Sequence, residues 1–126
     1  MNKTIIYSSN APKPIGPYSQ AVKAGNMLFV SGQIAIEPKT GQLIVDDIRK
    51  ETQQVMNNIK AILEEAGLTF NHVVRCTIFV KNLDNFSLIN EVYGSYFEHT
   101  PPARETVEVS RLPKDVGVEI SCIAVF

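Results

Sequence analysis

The chain has 126 residues and a formal net charge of −1, with 44% hydrophobic and 20% charged residues. That length suits one domain over residues 1–126, large enough to bury a core without disulfide or metal staples. The composition excludes an intrinsically disordered chain, and no apolar run approaches the ~18 residues of a membrane span.

Gly and Pro punctuate a series of short elements. Thr4–Tyr7 reads as an edge strand. Residues 10–20, NAPKPIGPYSQ, carry three prolines and a glycine and read as an ordered loop. Ala21–Ala24 and Met27–Ser31 flank the turn pair Gly25-Asn26, as in a hairpin. A further short strand is expected over Gln33–Ile36, closed by the turn Pro38–Gly41. Asp47 is placed to cap a helix running to Ala66, since Val55, Met56, Ile59, Ile62, Leu63 and Ala66 follow the 3.6-residue period and Gly67 sits just past its end. VVRCTIFV, Val73–Val80, is a strand. Asp84 or Asn85 starts a second helix with Phe86, Ile89, Val92, Tyr93 and Tyr96 on one stripe, ended by Thr100-Pro101-Pro102. Strands Glu105–Val109 and Val118–Phe126 follow, joined by a solvated turn containing Arg111, Leu112-Pro113 and Lys114-Asp115.

This order predicts an α+β fold, a two-layer domain with two helices on one face of a mixed β-sheet. In the last strand Val118, Ile120, Cys122, Ala124 and Phe126 point one way, and Glu119, Ser121, Ile123 and Val125 the other. Both faces of the sheet are therefore apolar, while two helices cover only one. Burial of the second face against other subunits is expected.

Charges of both signs are interleaved, so no basic stripe marks a nucleic-acid partner, and no membrane partner is expected. The start, MNKTIIYSSN, lacks the apolar stretch of a signal peptide, and Cys76 and Cys122 lie in strand-like apolar runs as small buried thiols. Both features point to a cytoplasmic protein. His72 and His99 are isolated, so no metal site is expected; there is no phosphate loop and no Schiff-base lysine, so neither is a cofactor.

Five positions carry candidate chemistry. Arg104 follows a rigid Pro-Pro-Ala segment, so its guanidinium is aimed: it is either a bidentate carboxylate anchor or a surface arginine paired with Glu105 or a neighbour. Glu119 lies mid-strand on a partly apolar face, where a carboxylate is either paired or functional. Tyr18 is a phenol on a tethered loop, a ligand contact or a packed ring. Ser31-Gly32 allows either close backbone approach to a ligand or a bulge. Asn90 lies about one residue off the apolar stripe of the second helix, where an exposed amide is the plain alternative.

IGPYSQAV, SGQI, AILEEAGL, NEVYGSYF and PPARETVEVSRLPKDVGVEI together resemble the RidA (YjgF) family of reactive-intermediate deaminases, over about Ile6 to Val125. The resemblance implies a chorismate-mutase-like fold and a homotrimer with ligand clefts between subunits. It implies cofactor-independent hydrolysis of 2-imino acids, 2-iminobutanoate and 2-iminopropanoate, to 2-oxo acids and ammonia. Carried over by position, Arg104 corresponds to the carboxylate-binding arginine and Glu119 to the glutamate that directs water. Tyr18, Ser31 and Asn90 correspond to site-lining residues, with backbone contacts from Gly32 and Thr106.

Three departures stand out. Thr106 occupies the place of a frequent cysteine, Ser121 replaces the second glutamate of the family's VEIE, and the segment before Arg104 is shorter than in some members. A non-catalytic trimeric binder or sensor of small 2-oxo acids is the rival reading; retention of both Arg104 and Glu119 favours the enzyme. A ribonuclease or translation inhibitor fits the flat charge and isolated histidines poorly.

Overall fold

The computed structural model describes residues 2–126. The elements run β1 (Lys3–Ile6), β2 (Ala21–Ala24), β3 (Met27–Gln33), α1 (Ile48–Glu65), β4 (Val73–Val80), α2 (Phe86–Gly94), β5 (Ala103–Glu108) and β6 (Val118–Val125). The strands form one mixed sheet in the order β1-β2-β3-β6-β4-β5. Every neighbouring pair is antiparallel except β4–β5, which is parallel. The two helices share one face of this sheet, so the α+β layering expected from the element order is the one adopted.

Local chemistry explains the element ends. Asp47 accepts hydrogen bonds from the Arg49 and Lys50 amides, which starts α1. Gly67, at φ +79°, supplies the left-handed residue just past its end. Gly25, at φ +62°, turns β2 into β3. Asn82 caps a single 3-10 turn, Leu83–Asn85, that leads into α2.

Several boundaries differ from the sequence expectation, β1 by one residue at each end. The third strand continues to Gln33, and no strand covers 33–36; Ile36 makes only an isolated bridge to Leu43. A bulge is the cause. Val30 pairs with Cys122 and Gln33 with Ile120, so Ser31 and Gly32 together oppose Ser121 and turn the chain out of the ladder. α2 stops at Gly94, and Tyr96 packs beyond it on Phe70, with centroids 5.1 Å apart. β5 begins at Ala103, directly after the two prolines. Phe126 lies outside β6 with the Lys23 ammonium over its ring.

The core lies between α1 and the sheet. Val55, Met56, Ile59, Ile62 and Leu63 pack on Leu28, Ile78, Val80, Ile120 and Ala124. Each large side chain so buried contributes about 1.5–3 kcal/mol. Cys76 and Cys122 face each other across β4 and β6 in this layer as free, buried thiols, and burial raises the pKa of both. A second, smaller cluster joins Ile34, Ile36, Leu112 and Val116.

The other face is open in the protomer. Ile5, Val22, Phe29 and Ile123 are in register across β1, β2, β3 and β6 and form an apolar row, with Phe29 43% exposed. Arg75 and Glu105 form an ion pair on the same face.

One buried carboxylate ties the layers together. Glu51, in the first turn of α1, accepts the Gly117 and Val118 amides through Oε2 at 2.6 and 3.0 Å. Burial raises its pKa, and these two amides oppose the rise. Glu51→Ala leaves both amides without an acceptor and should cost about 2–4 kcal/mol. Glu51→Gln, whose carbonyl can still accept, should cost clearly less. Urea denaturation of the two variants checks the order.

Candidate functional site

A cleft of about 320 Å³ opens beside the β3 bulge. Tyr18, Ser31, Gly32 and Glu119 all line it, so four of the sequence candidates converge there. Ile15, Ile34, Ile36 and Pro113 give it an apolar side, and Lys13 stands among its lining residues.

Glu119 is the chemically distinctive group. It alternates away from the core residues Val118 and Ile120 and so points to the open face of the sheet. Its carboxylate makes no hydrogen bond or ion pair among the described residues, and burial alone raises its pKa. A carboxylate kept half-dry and unpaired is poised to hold a proton or a water. Gly32 is what makes room for it. A Cβ at position 32 would lie 2.7 Å from Glu119 Cδ and 2.8 Å from Oε2. Of the two sequence alternatives for Ser31-Gly32, the bulge is present, and the group that approaches Gly32 closely is the Glu119 side chain.

The loop over the cleft is braced by its own polar groups. Ser31 Oγ donates to the Ser19 carbonyl at 2.6 Å. The Tyr18 hydroxyl accepts the Ile15 amide at 3.2 Å. Gln20, almost fully buried, accepts the Ser8 amide and donates to the carbonyls of Ser8, Ala11 and Pro12. Sequence reasoning singled out Tyr18 and Ser31 but passed over Gln20. The available signal was a lone amide ending a Pro/Gly-rich loop, just before an apolar strand.

Arg104, Asn90 and Thr106 form a separate group. Arg104 is in register with Cys76, and Cys76 with Cys122, so its side chain is on the helix face at the β5 edge. Its Nη1 donates to Asn90 Oδ1 on α2 at 2.7 Å. The guanidinium lies 5.0 Å from the centroid of Tyr93 and 5.5 Å from that of Phe86. Glu105, the neighbour that could have paired with Arg104, is bonded instead to Arg75 on the open face. The Asn90 amide is therefore a partner of Arg104. Thr106 Oγ1 and the Tyr93 hydroxyl are buried without hydrogen-bond partners among the described residues. Neither Arg104, Asn90 nor Thr106 lines the Glu119 cleft. Within one chain the two charged candidates stand on opposite faces, with β4 between their strands. Among the described residues no group of His, Cys, Asp and Glu has the geometry to hold a metal ion.

The family model described as Endoribonuclease L-PSP matches residues 8–126. The chain belongs to the RidA/YjgF family. A RutC family protein of Pyrococcus horikoshii is 57% identical over 122 residues, 97% of each chain. The 2-iminobutanoate/2-iminopropanoate deaminase of Escherichia coli K12 is 50% identical over 128 residues, 99% of this chain and 98% of its own. Among solved structures, the E. coli YjgF gene product superposes with a TM-score of 0.92 at 47% identity, over 97% of this chain and 98% of that one. E. coli TdcF with bound serine superposes with a TM-score of 0.94 at 43% identity, over 98% of both chains. The chorismate-mutase-like layering implied by the sequence resemblance is thus the fold of this RidA-family chain.

Gly32→Ala should leave the fold intact, because the φ of Gly32 is not in the left-handed region and alanine lowers unfolded-state entropy by about 0.4–1 kcal/mol. The added Cβ should push the Glu119 carboxylate out of its position. A melting temperature within a few degrees of the parent, together with a displaced carboxylate in a crystal structure of the variant, is the expected pair of results.

Proposed function

We propose that this protein hydrolyses short 2-imino acids, 2-iminobutanoate and 2-iminopropanoate, to 2-oxo acids and ammonia, without a cofactor, as a cytoplasmic homotrimer. The observation that carries the reading is the unpaired, half-buried Glu119 carboxylate in a cleft with one apolar side. The 50% identity to a relative named for this activity supports it.

The division of the charged residues fits an intersubunit site. The exposed apolar row through Phe29 and Ile123 suits burial against a second and third copy. Such packing sets the β5 edge of one subunit, with Arg104, Asn90 and Thr106, against the Glu119 cleft of the next. Arg104, held by Asn90 and two aromatic rings, grips the substrate carboxylate with its remaining donors. Glu119 accepts a proton from water as the water oxygen attacks the imine carbon, and the imine nitrogen takes up a proton. The proton Glu119 took from water is the one passed to that nitrogen; the resulting carbinolamine then collapses as Glu119 carries its hydroxyl proton to the amine nitrogen, the C–N bond breaks with its electron pair going to nitrogen, and ammonia departs from the 2-oxo acid. Ser31, Gly32, Tyr18 and the backbone of Thr106 orient the nitrogen.

The test couples a threonine dehydratase to semicarbazide trapping and asks whether the protein diverts the imine. Arg104→Lys should lower turnover more than tenfold with the assembly intact, since a point charge cannot replace the fork. Glu119→Gln should lower it by up to ~10²-fold. Because burial raises the Glu119 pKa and the base form is the active one, wild-type kcat/KM should fall as pH drops through that raised value. Near-normal turnover in both variants, or a monomer by light scattering, would overturn the proposal.

Thr106→Val removes a buried hydroxyl that has no partner in the protomer. It should retain activity, and the semicarbazide assay reads this directly. An inactive valine variant would make the hydroxyl itself a substrate contact.

A further inference from the structure

The cleft's apolar side is built differently from the rest of the molecule. Ile34 and Ile36 follow the β3 bulge and lie outside any strand. They belong to the small cluster with Leu112 and Val116, apart from the main core under α1. Their backbone has little ladder to hold it. The Ile36 amide donates to the Ile34 carbonyl at 2.8 Å, and the Ile44 amide to the Ala35 carbonyl at 2.8 Å.

Ala35, between the two isoleucines, packs into the main core, and one polar side chain ties the backbone on either side of it to α1. Asn58 lies on the buried side of α1, 1% exposed. Its Nδ2 donates to both the Ile34 carbonyl, at 3.1 Å, and the Ile36 carbonyl, at 3.0 Å. Its Oδ1 accepts from Gln54 Nε2 at 2.9 Å, which fixes the orientation of the amide. Both amide protons are used, on two carbonyls two residues apart. Those bonds hold the backbone that carries two of the cleft's lining side chains, though Asn58 itself does not line it.

We propose that Asn58 is a positioning residue that sets side-chain selectivity in the cleft by fixing the Ile34–Ile36 wall. This rests on the deaminase reading above. The substrate's carboxylate and imine are taken up by charged and polar groups, so its alkyl group is the part left for the isoleucines. Substrates of this class differ by methylenes. One methylene in a fitted apolar pocket changes kcat/KM by about 10–200-fold, so a small shift of the wall alters discrimination before it alters chemistry.

The experiment measures kcat/KM for imines made in situ from alanine, 2-aminobutyrate and leucine by an amino-acid oxidase. It compares the wild type, Asn58→Asp and Ile36→Val. Aspartate keeps the shape of Asn58 but sets an acceptor against two carbonyls; Ile36→Val removes one methylene from the wall and keeps the Asn58 bonds. Both variants should change the leucine-to-alanine ratio of kcat/KM by about fivefold or more. In Asn58→Asp, hydrogen exchange at the Ile36 and Ile44 amides should accelerate while β4 and β6 stay protected. A merely structural Asn58 would lower all three substrates by one factor; a ratio constant within about twofold in both variants overturns the proposal. Should Asn58→Asp not fold, an unchanged ratio in Ile36→Val alone overturns it. A wild type inactive on all three imines overturns the deaminase reading itself, and the selectivity with it.

Discussion

Side-chain alternation along a strand governs how this molecule can work. Arg104 aligns through Cys76 with Cys122, and Glu119 lies three residues from Cys122, so the two charges leave the sheet on opposite faces. No side-chain rotation brings them onto one small ligand across the intervening β4. The same alternation fills one face with the helix-covered core and leaves Ile5, Val22, Phe29 and Ile123 as an uncovered apolar row on the other. A single chain therefore holds the two half-sites of the proposed function apart and leaves one apolar surface uncovered, and the proposed association of like chains answers both.

The half-sites are complementary in their electrostatics. Arg104 is braced by an amide oxygen and two aromatic faces, with no carboxylate to neutralise it. Glu119 is half-buried, with no cation or donor bonded to it among the described residues. Each arrangement costs folding free energy relative to a paired or hydrated charge. Such unspent charge is characteristic of binding sites, where a ligand or a neighbouring subunit provides the missing partner.

Buried polar side chains hold the cleft in shape. Gln20 ties down the backbone of residues 8–12, Glu51 the start of β6, and Asn58 the Ile34–Ile36 turn. Each reaches backbone groups that lie outside the strand ladder or at its end. Apolar packing sets the two layers at their distance but has little directionality. Hydrogen bonds to particular carbonyls and amides supply the angles, and an unmet one costs about 1–3 kcal/mol, so these walls have little freedom to drift.

Elements with a strong period were legible from residue order. VVRCTIFV is the strand Val73–Val80, and Asp47 and Gly67 bracket α1 as their chemistry requires. The motifs around Tyr18, Ser31, Arg104 and Glu119 were enough to place the chain in its family. The bulge was legible only as one of two alternatives at Ser31-Gly32; that the strand runs through it to Gln33, and that Glu119, 87 positions after Gly32, needs the space beside it, was not. Gln20 is marked only by its place at the end of a Pro/Gly-rich loop, and Glu51 and Asn58 carry no such mark, because the backbone partners of all three lie 8 to 67 residues away and an amide or carboxylate in a polar stretch looks solvated until the chain folds over it. Residue type and local period determine which segments become strand or helix. Which polar group is buried, which face it leaves by and which charges stay apart are long-range facts, decided only when the sheet register is set.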